Sequence, residues 1–523
     1  MTILDSGLPL TLPHALCYAA EHFGDATAVD IEGRQIGFRQ LEALVERAAG
    51  AFIACGVGGG DRVAIWAPNS LEWIVAALGV HWSGGVVVPL NTRFKGREAG
   101  YILARSGARL LCTVAQFLGV RYPELLTGES LPALERTILL DGEAPGCVEW
   151  GRFLAGGEAT APGERRARLA RLSGGHIADI LFTSGTTGAP KGVMSAHEQN
   201  IRVYHAWSEA VDLRRSDRYL IVNPFFHTFG YKAGWVGCLI RGAAAFPMAV
   251  FDAGVVLDRI ARDRITFIPG PPTLFQSMLA HEQCGRTDTS SLRIGGTGAA
   301  VVPPILIRQM REVLGFQRVF TAYGLTEATG TVSVCRAGDS DERVARTCGR
   351  AIPGVEIKCI DEDGGTLPRG ATGELLVRGF NVMRGYFDDP QATAEAIDAD
   401  GWLHTGDVAV IDEQGYLSIT DRKKDLYIVG GFNCYPAEIE KILCAHPSIA
   451  QAAVVGIEDE RMGEVGKAFV VLKPGHGAEP ASIIEWSRAN MANYKVPRFV
   501  EIVASLPMNA AGKVQKFALR GRS

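Results

Sequence analysis

Residues Phe182-Thr183-Ser184-Gly185-Thr186-Thr187-Gly188-Ala189-Pro190-Lys191-Gly192 gather hydroxyls, glycines and one lysine in a single short run. The apolar stretch Ile177–Phe182 reads as a buried strand that delivers the chain into this run. Gly185 and Gly188 let the backbone turn its N–H groups inward, Ser184, Thr186 and Thr187 add hydroxyl donors, and Lys191 supplies a cation. That combination suits a polyphosphate. A Walker A loop needs Gly-Lys followed by Ser or Thr at the opening of a helix. Here Pro190 precedes the lysine, Gly192 follows it, and Gly192–Ser195 resumes as a strand. The bland alternative is a flexible surface turn.

Five further segments carry residues able to do chemistry, and each also has an ordinary structural reading. Thr321-Ala322-Tyr323-Gly324-Leu325-Thr326-Glu327 is either a strand-to-helix turn with a capping Glu or a ligand-facing loop. His404-Thr405-Gly406-Asp407, taken alone, is a turn, and Asp421-Arg422-Lys423-Lys424-Asp425 is a solvated charge run. In Pro224-Phe225-Phe226-His227-Thr228-Phe229-Gly230 the histidine could be packed among aromatics in a core. In Leu506-Pro507-Met508-Asn509-Ala510-Ala511-Gly512-Lys513 the lysine could be a solvated tail residue.

In their order and spacing these segments, with the phosphate run, resemble the signature motifs of the adenylate-forming superfamily: acyl-CoA synthetases, nonribosomal-peptide adenylation domains and luciferases. The resemblance covers most of the chain. It implies a carboxylic acid and ATP joined as an acyl-AMP, then transfer to coenzyme A. Two unit charges at ~4 Å repel by ~4 kcal/mol at an effective dielectric of 20, so such a site needs cations and donors aimed at the phosphates.

By that resemblance Thr183, Ser184, Gly185, Thr186, Thr187, Gly188 and Lys191 hold the phosphates, Gly298, Ala299 and Ala300 line the adenine, and Ala322 and Gly324 bind the nucleotide. Tyr323 stacks on the ring, Thr326 contacts the α-phosphate, and Glu327 holds Mg²⁺. Asp407 accepts from both ribose hydroxyls, for which a bidentate, acceptor-only carboxylate is suited. Arg422 contacts ribose or phosphate, Lys424 is the hinge, and Gly430, Gly431 and Phe432 line the pantetheine tunnel. Lys513 bridges the attacking carboxylate and the α-phosphate; with Thr186, His227 and Glu327 it makes up the catalytic set. Ala511 departs from the Thr or Ser that commonly precedes Gly-Lys in the family, which points to adenylation as the weaker half-reaction, or one supplied by a partner acyl-CoA ligase.

The acyl pocket is expected around Phe226, His227, Phe229, Gly230 and Gly296, with Gly295, Gly296 and Gly298 widening its wall. No Asp follows the aromatic motif to hold a substrate ammonium, and Lys232 lies close by, which disfavours an amino acid. Gly230-Tyr231-Lys232-Ala233-Gly234-Trp235, with Leu90–Gly96 upstream, resembles a narrower group of bacterial ligases for polycyclic acids such as steroid-ring propionates. The competing expectations are an adenylation enzyme that loads a carrier protein and a paralogue that binds without turnover.

Positioning these residues requires a layered scaffold. Thr27–Asp30, Arg62–Trp66 and Gly85–Pro89 read as strands, alternating with helices over Phe38–Cys55 and from Ser70. Alternation of this kind implies largely parallel sheets with helices on both faces. Residues 155–172 read as a surface connection, a second βα series fills 217–325, and short strands within 345–420 suggest a small β-barrel or a twisted antiparallel unit. The expected fold is α/β: a large N-terminal domain (1–420) of two βα-layered sheets plus that small β-barrel, a hinge (421–424), and a small mobile α+β domain (425–523).

With 523 residues the chain is too long for one core. A net charge of −4 makes no electrostatic case for nucleic acid or an anionic membrane. The apolar stretch Trp73–Leu90 is broken by His81, Ser83, Gly84, Gly85 and Pro89 and reads as helix, turn and strand, not a membrane span. Eleven scattered cysteines, with no C-x-x-C pair, read as free thiols of a reducing cytoplasm, and Asp5 without early basic residues makes a poor secretory leader. A homodimer is left open.

Overall fold

The computed structural model describes residues 4, 7–183, 190–298, 302–422, 425–429, 432–459, 462–491, 493–508 and 514–520. Two large sheets form its body. The first has eight strands in the order Gly385–Tyr386, Lys191–Ala196, Ile177–Thr183, Val86–Pro89, Arg62–Trp66, Leu110–Val114, Arg136–Asp141 and Val148–Glu149. From Ile177–Thr183 onward its neighbours pair in parallel, whereas Lys191–Ala196 and Gly385–Tyr386 close the other edge antiparallel. The second has nine strands. Its centre runs Arg318–Tyr323, Ile294–Gly298, Phe267–Gly270, Arg218–Ile221, Ala244–Pro247 and Thr27–Ile31, all parallel. The apolar strands Leu110–Val114, Ala244–Pro247 and Phe267–Gly270 are buried at every residue, as parallel strands covered on both faces must be.

The helix Leu71–Ser83 is apolar all round and accordingly buried at every position but Glu72. Ser70 caps it by accepting the Trp73 N–H, and Gly84 ends it in the left-handed region at φ 92°. Trp73 packs edge-on against Phe225, Tyr231 and Trp235. This helix therefore ties the first βα series to the segment that carries the aromatic motif. Among the described residues, no helix is long and apolar enough to cross a membrane.

The segment 345–420 takes the second of its two expected forms: an open four-stranded antiparallel sheet, Val355–Ile360, Thr372–Gly379, Leu403–Ile411 and Leu417–Arg422. The chain ends in a smaller α+β unit. There Ile449–Asp459 and Gly463–Leu472 form a long hairpin, flanked by the helices Pro436–Leu443 and Pro480–Asn490. One continuous core runs from Leu8 to Leu417, and two smaller clusters lie in the last unit, around Tyr427 to Ile483 and around Ala453 to Leu519. All eleven cysteines are unpaired thiols.

One stretch departs from expectation. Residues 155–172 are helical over Trp150–Gly156 and Pro162–Ala170, not a plain surface connection. Pro162 sits at the first helical turn, where its missing N–H costs nothing.

Candidate functional site

The two described ends of the phosphate run, Thr183 and Lys191, belong to paired strands. Strands Ile177–Thr183 and Lys191–Ala196 pair antiparallel with Thr183 opposite Lys191, so the sheet ends at these two residues on this side. The hairpin needs Gly192: a Cβ there would lie 2.8 Å from Ile180 Cγ2 and 3.1 Å from Phe182 Cζ. Ser184, Gly185, Thr186, Thr187 and Gly188 fall outside the described residues.

A short strand straps this hairpin to the second sheet. Gly385–Tyr386 pairs with Val193 and Met194, and the Phe387 N–H donates to the Gly192 carbonyl at 2.7 Å. Tyr386 then touches both charges of the site. Its hydroxyl donates to Glu327 Oε1 at 3.1 Å, and the Lys191 ammonium lies 5.1 Å from its ring centroid. The Thr183 hydroxyl also approaches Glu327 Oε1, at 3.4 Å. Burial, and then the Glu327 charge, push the Tyr386 hydroxyl well above the usual tyrosine range, so it remains a donor at neutral pH.

Glu327 stands in the turn Thr326–Ala328 that follows the strand Arg318–Tyr323. This turn folds tightly on itself, and a Cβ on Gly324 would sit 2.0 Å from the Gly330 carbonyl oxygen. Thr321 is buried while Ala322 through Glu327 are half-buried, so the chain opens toward solvent at the carboxyl end of the parallel strand, the usual ligand face of such sheets. Gly298 pairs in register with Ala322 on the neighbouring strand, at the same open edge. Ala299 and Ala300 lie outside the described residues.

Tyr323 reaches across to the small antiparallel sheet, where its hydroxyl donates to Asp407 Oδ2 at 2.5 Å. Asp407 is only 5% exposed and stands opposite Arg422 in register. Thr183, Lys191, Gly298, Ala322, Tyr323, Gly324, Thr326, Glu327 and Asp407 are thus linked by two sheets, one strap and one tyrosine–carboxylate bond. The Arg422 side chain, Lys424, Gly430, Gly431, the Phe432 side chain and Lys513 are outside the description, although their flanks are not. Tyr427–Val429 pairs with Phe432–Cys434, and Met508 pairs with Val514.

The aromatic motif is held by asparagines. Asn69 donates to the backbone carbonyls of Asn223 at 2.9 Å and Met248 at 3.1 Å, and accepts the Phe225 N–H at 2.7 Å. Phe226, His227 and Phe229 emerge half-buried beyond this clamp, and His227 Nδ1 accepts the Phe229 N–H at 3.3 Å. Gly230 is demanded by the turn, since a Cβ would lie 2.2 Å from the Asn223 carbonyl oxygen. A π-helical segment, Phe229–Val236, kinked at the non-helical Gly234, follows.

Two expectations about this pocket are corrected. The bare sides of Gly295 and Gly296 do not widen a wall. A Cβ on Gly296 would lie 2.3 Å from Phe320 Cζ, and one on Gly295 would lie 2.9 Å from Met310 Cε. Core side chains already fill that space. Nor does Lys232 face a pocket. It is wholly buried, 2.9 Å from Asp179 Oδ1, which is buried as completely. The sequence held one signal of this: a lone lysine inside an otherwise apolar helix must find an internal partner.

Among the described residues no group of three or more His, Cys, Asp or Glu could hold a metal on its own. The arrangement instead suits a cation held by one carboxylate, Glu327, with phosphate oxygens and water supplying the rest, as is common for Mg²⁺.

Comparison with known proteins matches both ends of the chain. A family model described as AMP-binding enzyme covers residues 17–387, and one described as AMP-binding enzyme C-terminal domain covers 438–513. A Rhodococcus jostii protein named 3-[(3aS,4S,7aS)-7a-methyl-1,5-dioxo-octahydro-1H-inden-4-yl]propanoyl:CoA ligase is 48% identical over 518 residues, 98% of each chain. A Mycobacterium tuberculosis protein of the same name is 48% identical over 510 residues, again 98% of each. An anthranilate CoA ligase solved with anthranoyl-AMP superposes with a TM-score of 0.87 at 28% identity, covering 99% of both chains.

Proposed function

The chain belongs to the AMP-binding enzyme family and is an ATP-dependent acyl-CoA ligase, and from that premise we propose that it activates a fused-ring alkanoic acid. The observation that carries the choice of acid is 48% identity along 98% of the chain to two ligases named for a bicyclic propanoate. In the first half-reaction a carboxylate oxygen attacks the α-phosphorus of ATP and pyrophosphate leaves. In the second the CoA thiol attacks the acyl carbon and AMP leaves.

The residues take up roles that suit their surroundings. Thr183 and Lys191, at the two ends of the phosphate turn, hold the triphosphate together with the turn itself. Glu327 holds Mg²⁺, which offsets charge on the phosphates when bound. The Tyr323 ring and the edge formed by Gly298 and Ala322 receive adenine, and Asp407, already accepting one hydroxyl, receives those of the ribose. Thr326 meets the α-phosphate, and His227 stands where the carboxylate enters. The division at 421–424, with residues beyond 425 turning between the two half-reactions, belongs to the same proposal; it is supported by the change from one core cluster to another between Leu417 and Tyr427.

With ATP, CoA and Mg²⁺ saturating, 3-(7a-methyl-1,5-dioxo-octahydroinden-4-yl)propanoate should exceed palmitate in kcat/KM by about tenfold or more, the scale on which a pocket distinguishes apolar shapes. Thioester formation followed by chromatography checks this. A preference for palmitate would sink the proposed acid class.

A further inference from the structure

We infer that Lys232, Asp179 and Ser195 form a positioning strut that fixes the acyl-site helix against the phosphate-loop hairpin; this rests on the ligase reading above. Lys232 Nζ lies 2.9 Å from Asp179 Oδ1 and donates to Ser195 Oγ at 3.1 Å. Asn200 Nδ2 donates to the second carboxylate oxygen, Asp179 Oδ2, at 2.7 Å. Lys232, Asp179, Ser195 and Asn200 are each 0% exposed.

The placement is what gives the contact a purpose. Asp179 and Ser195 face each other in register across the hairpin, so one ammonium grips both of its strands. Asp179 precedes Thr183 by four residues and Ser195 follows Lys191 by four, about 13 Å of extended chain on each side. Lys232 itself lies in the π-helical segment that begins at Phe229, one short turn after His227. The strut therefore joins the part of the chain that meets the carboxylate to the part that meets the phosphates, through a fully buried contact.

Stability alone does not account for it. A buried ion pair loses hydration that its own attraction barely repays, and well-packed apolar residues of similar size commonly do as well or better. What a charged pair with a third, hydroxyl partner adds is direction: an ammonium bonded to two strands admits one placement of the helix. Joining acid to ATP needs such precision, because a misplacement of about 1 Å can cost about 10²-fold in rate.

The charge-free double variant D179N/K232M tests this. It removes both charges together, so neither is left buried and unpaired, and the side-chain amide that replaces the carboxylate can still accept from Asn200. Two calorimetric titrations are compared, with ATP alone and with the acylsulfamoyl-adenosine mimic of the bicyclic propanoyl adenylate, beside the denaturation midpoint and kcat for acyl-AMP formation. The expected result is an unchanged midpoint and ATP affinity within about threefold of the parent, with mimic affinity and kcat both lowered at least tenfold. Ser195→Ala, which keeps the ion pair but frees one strand, should move the same two quantities by about threefold. Parental mimic affinity and kcat in the double variant would overturn the strut. So would equal losses for ATP and mimic, which mark general damage. Should the double variant not fold, Ser195→Ala decides, and parental mimic affinity there overturns the proposal. A parent that binds the mimic but adenylates neither bicyclic propanoate nor palmitate counts against the ligase reading alone, since the two titrations still judge the strut.

Discussion

Replacing Lys513 with alanine should lower acyl-AMP formation by about 10²–10³-fold, the usual cost of removing a donor aimed at developing charge. Thioester formation from supplied acyl-AMP should stay near the parental rate. The expectation follows from assigning Lys513 to the first half-reaction only. The flanks of this lysine are firmly based. Met508 bridges Val514, and the Gln515 N–H donates to the Pro507 carbonyl at 2.8 Å, so the chain is pinned immediately before and after the segment. Beyond it Lys516 pairs with Glu440 at 2.7 Å and Leu519 is buried, which anchors the tail to the last unit. Removing the lysine head group should therefore leave the fold intact. ATP–pyrophosphate exchange reads the first step, and CoA-dependent release of AMP from synthetic acyl-AMP reads the second. Equal loss of both, in a protein with parental circular dichroism, would refute the division of labour between them.

Local chemistry was legible in the sequence wherever residues act through their neighbours. The Ser70 cap, the strand entering the phosphate turn and the return strand from Lys191 are all contacts within a few residues. So is the breaking of the Trp73–Leu90 stretch into a helix, a left-handed turn at Gly84 and a strand. Meeting points between distant segments were legible only through resemblance. The resemblance brought Tyr323 and Asp407 to one nucleotide, but neither the bond between them nor Tyr386 shared between Glu327 and Lys191 was legible in the motifs.

Glycines misled for a geometric reason. Whether a missing side chain opens a pocket or seats a core ring depends on which face of the strand it occupies and on what packs there. Gly296 receives Phe320, which itself sits against Trp207 and Phe267. The helix Pro162–Ala170 was missed for the opposite reason. None of its residues is buried, so it has no apolar stripe to read, and it is held by contacts such as the Trp82 indole N–H donating to the Arg165 carbonyl at 3.0 Å. Lys232 shows the same limit in reverse: its partners lie on two strands far away in sequence, and only the fold makes it an ion pair.

Acid should unfold this protein through the histidines that back the strut. His81 is fully buried, and burial, reinforced by the Lys232 charge, pushes its pKa from 6.5 down to about 3. His81 Nε2 and the Tyr231 hydroxyl share a hydrogen bond of 2.8 Å, and Tyr231 precedes Lys232 in the π-helical segment. His197, its ring 5.1 Å from that of His81, is lowered in the same direction by burial and then by His81 itself. A folded-state pKa below the unfolded one means that the unfolded chain binds the extra proton first. Stability is therefore fully present above about pH 6.5 and declines as the pH falls toward about 3. At ~1.4 kcal/mol per pH unit, His81 alone should remove roughly 2–3 kcal/mol between pH 7 and pH 4.5. Urea midpoints at the two pH values, in the parent and in His81→Asn, measure it. The variant should be weaker at pH 7, having lost packing around Tyr231, yet should lose markedly less on acidification because one buried site no longer takes up a proton. Identical pH slopes in the two proteins would show that carboxylates, not this histidine, govern the acid transition. A smaller slope in His81→Asn, with acyl-AMP formation failing at the same pH as the fold, would place the acid limit of the enzyme at the helix that the strut holds.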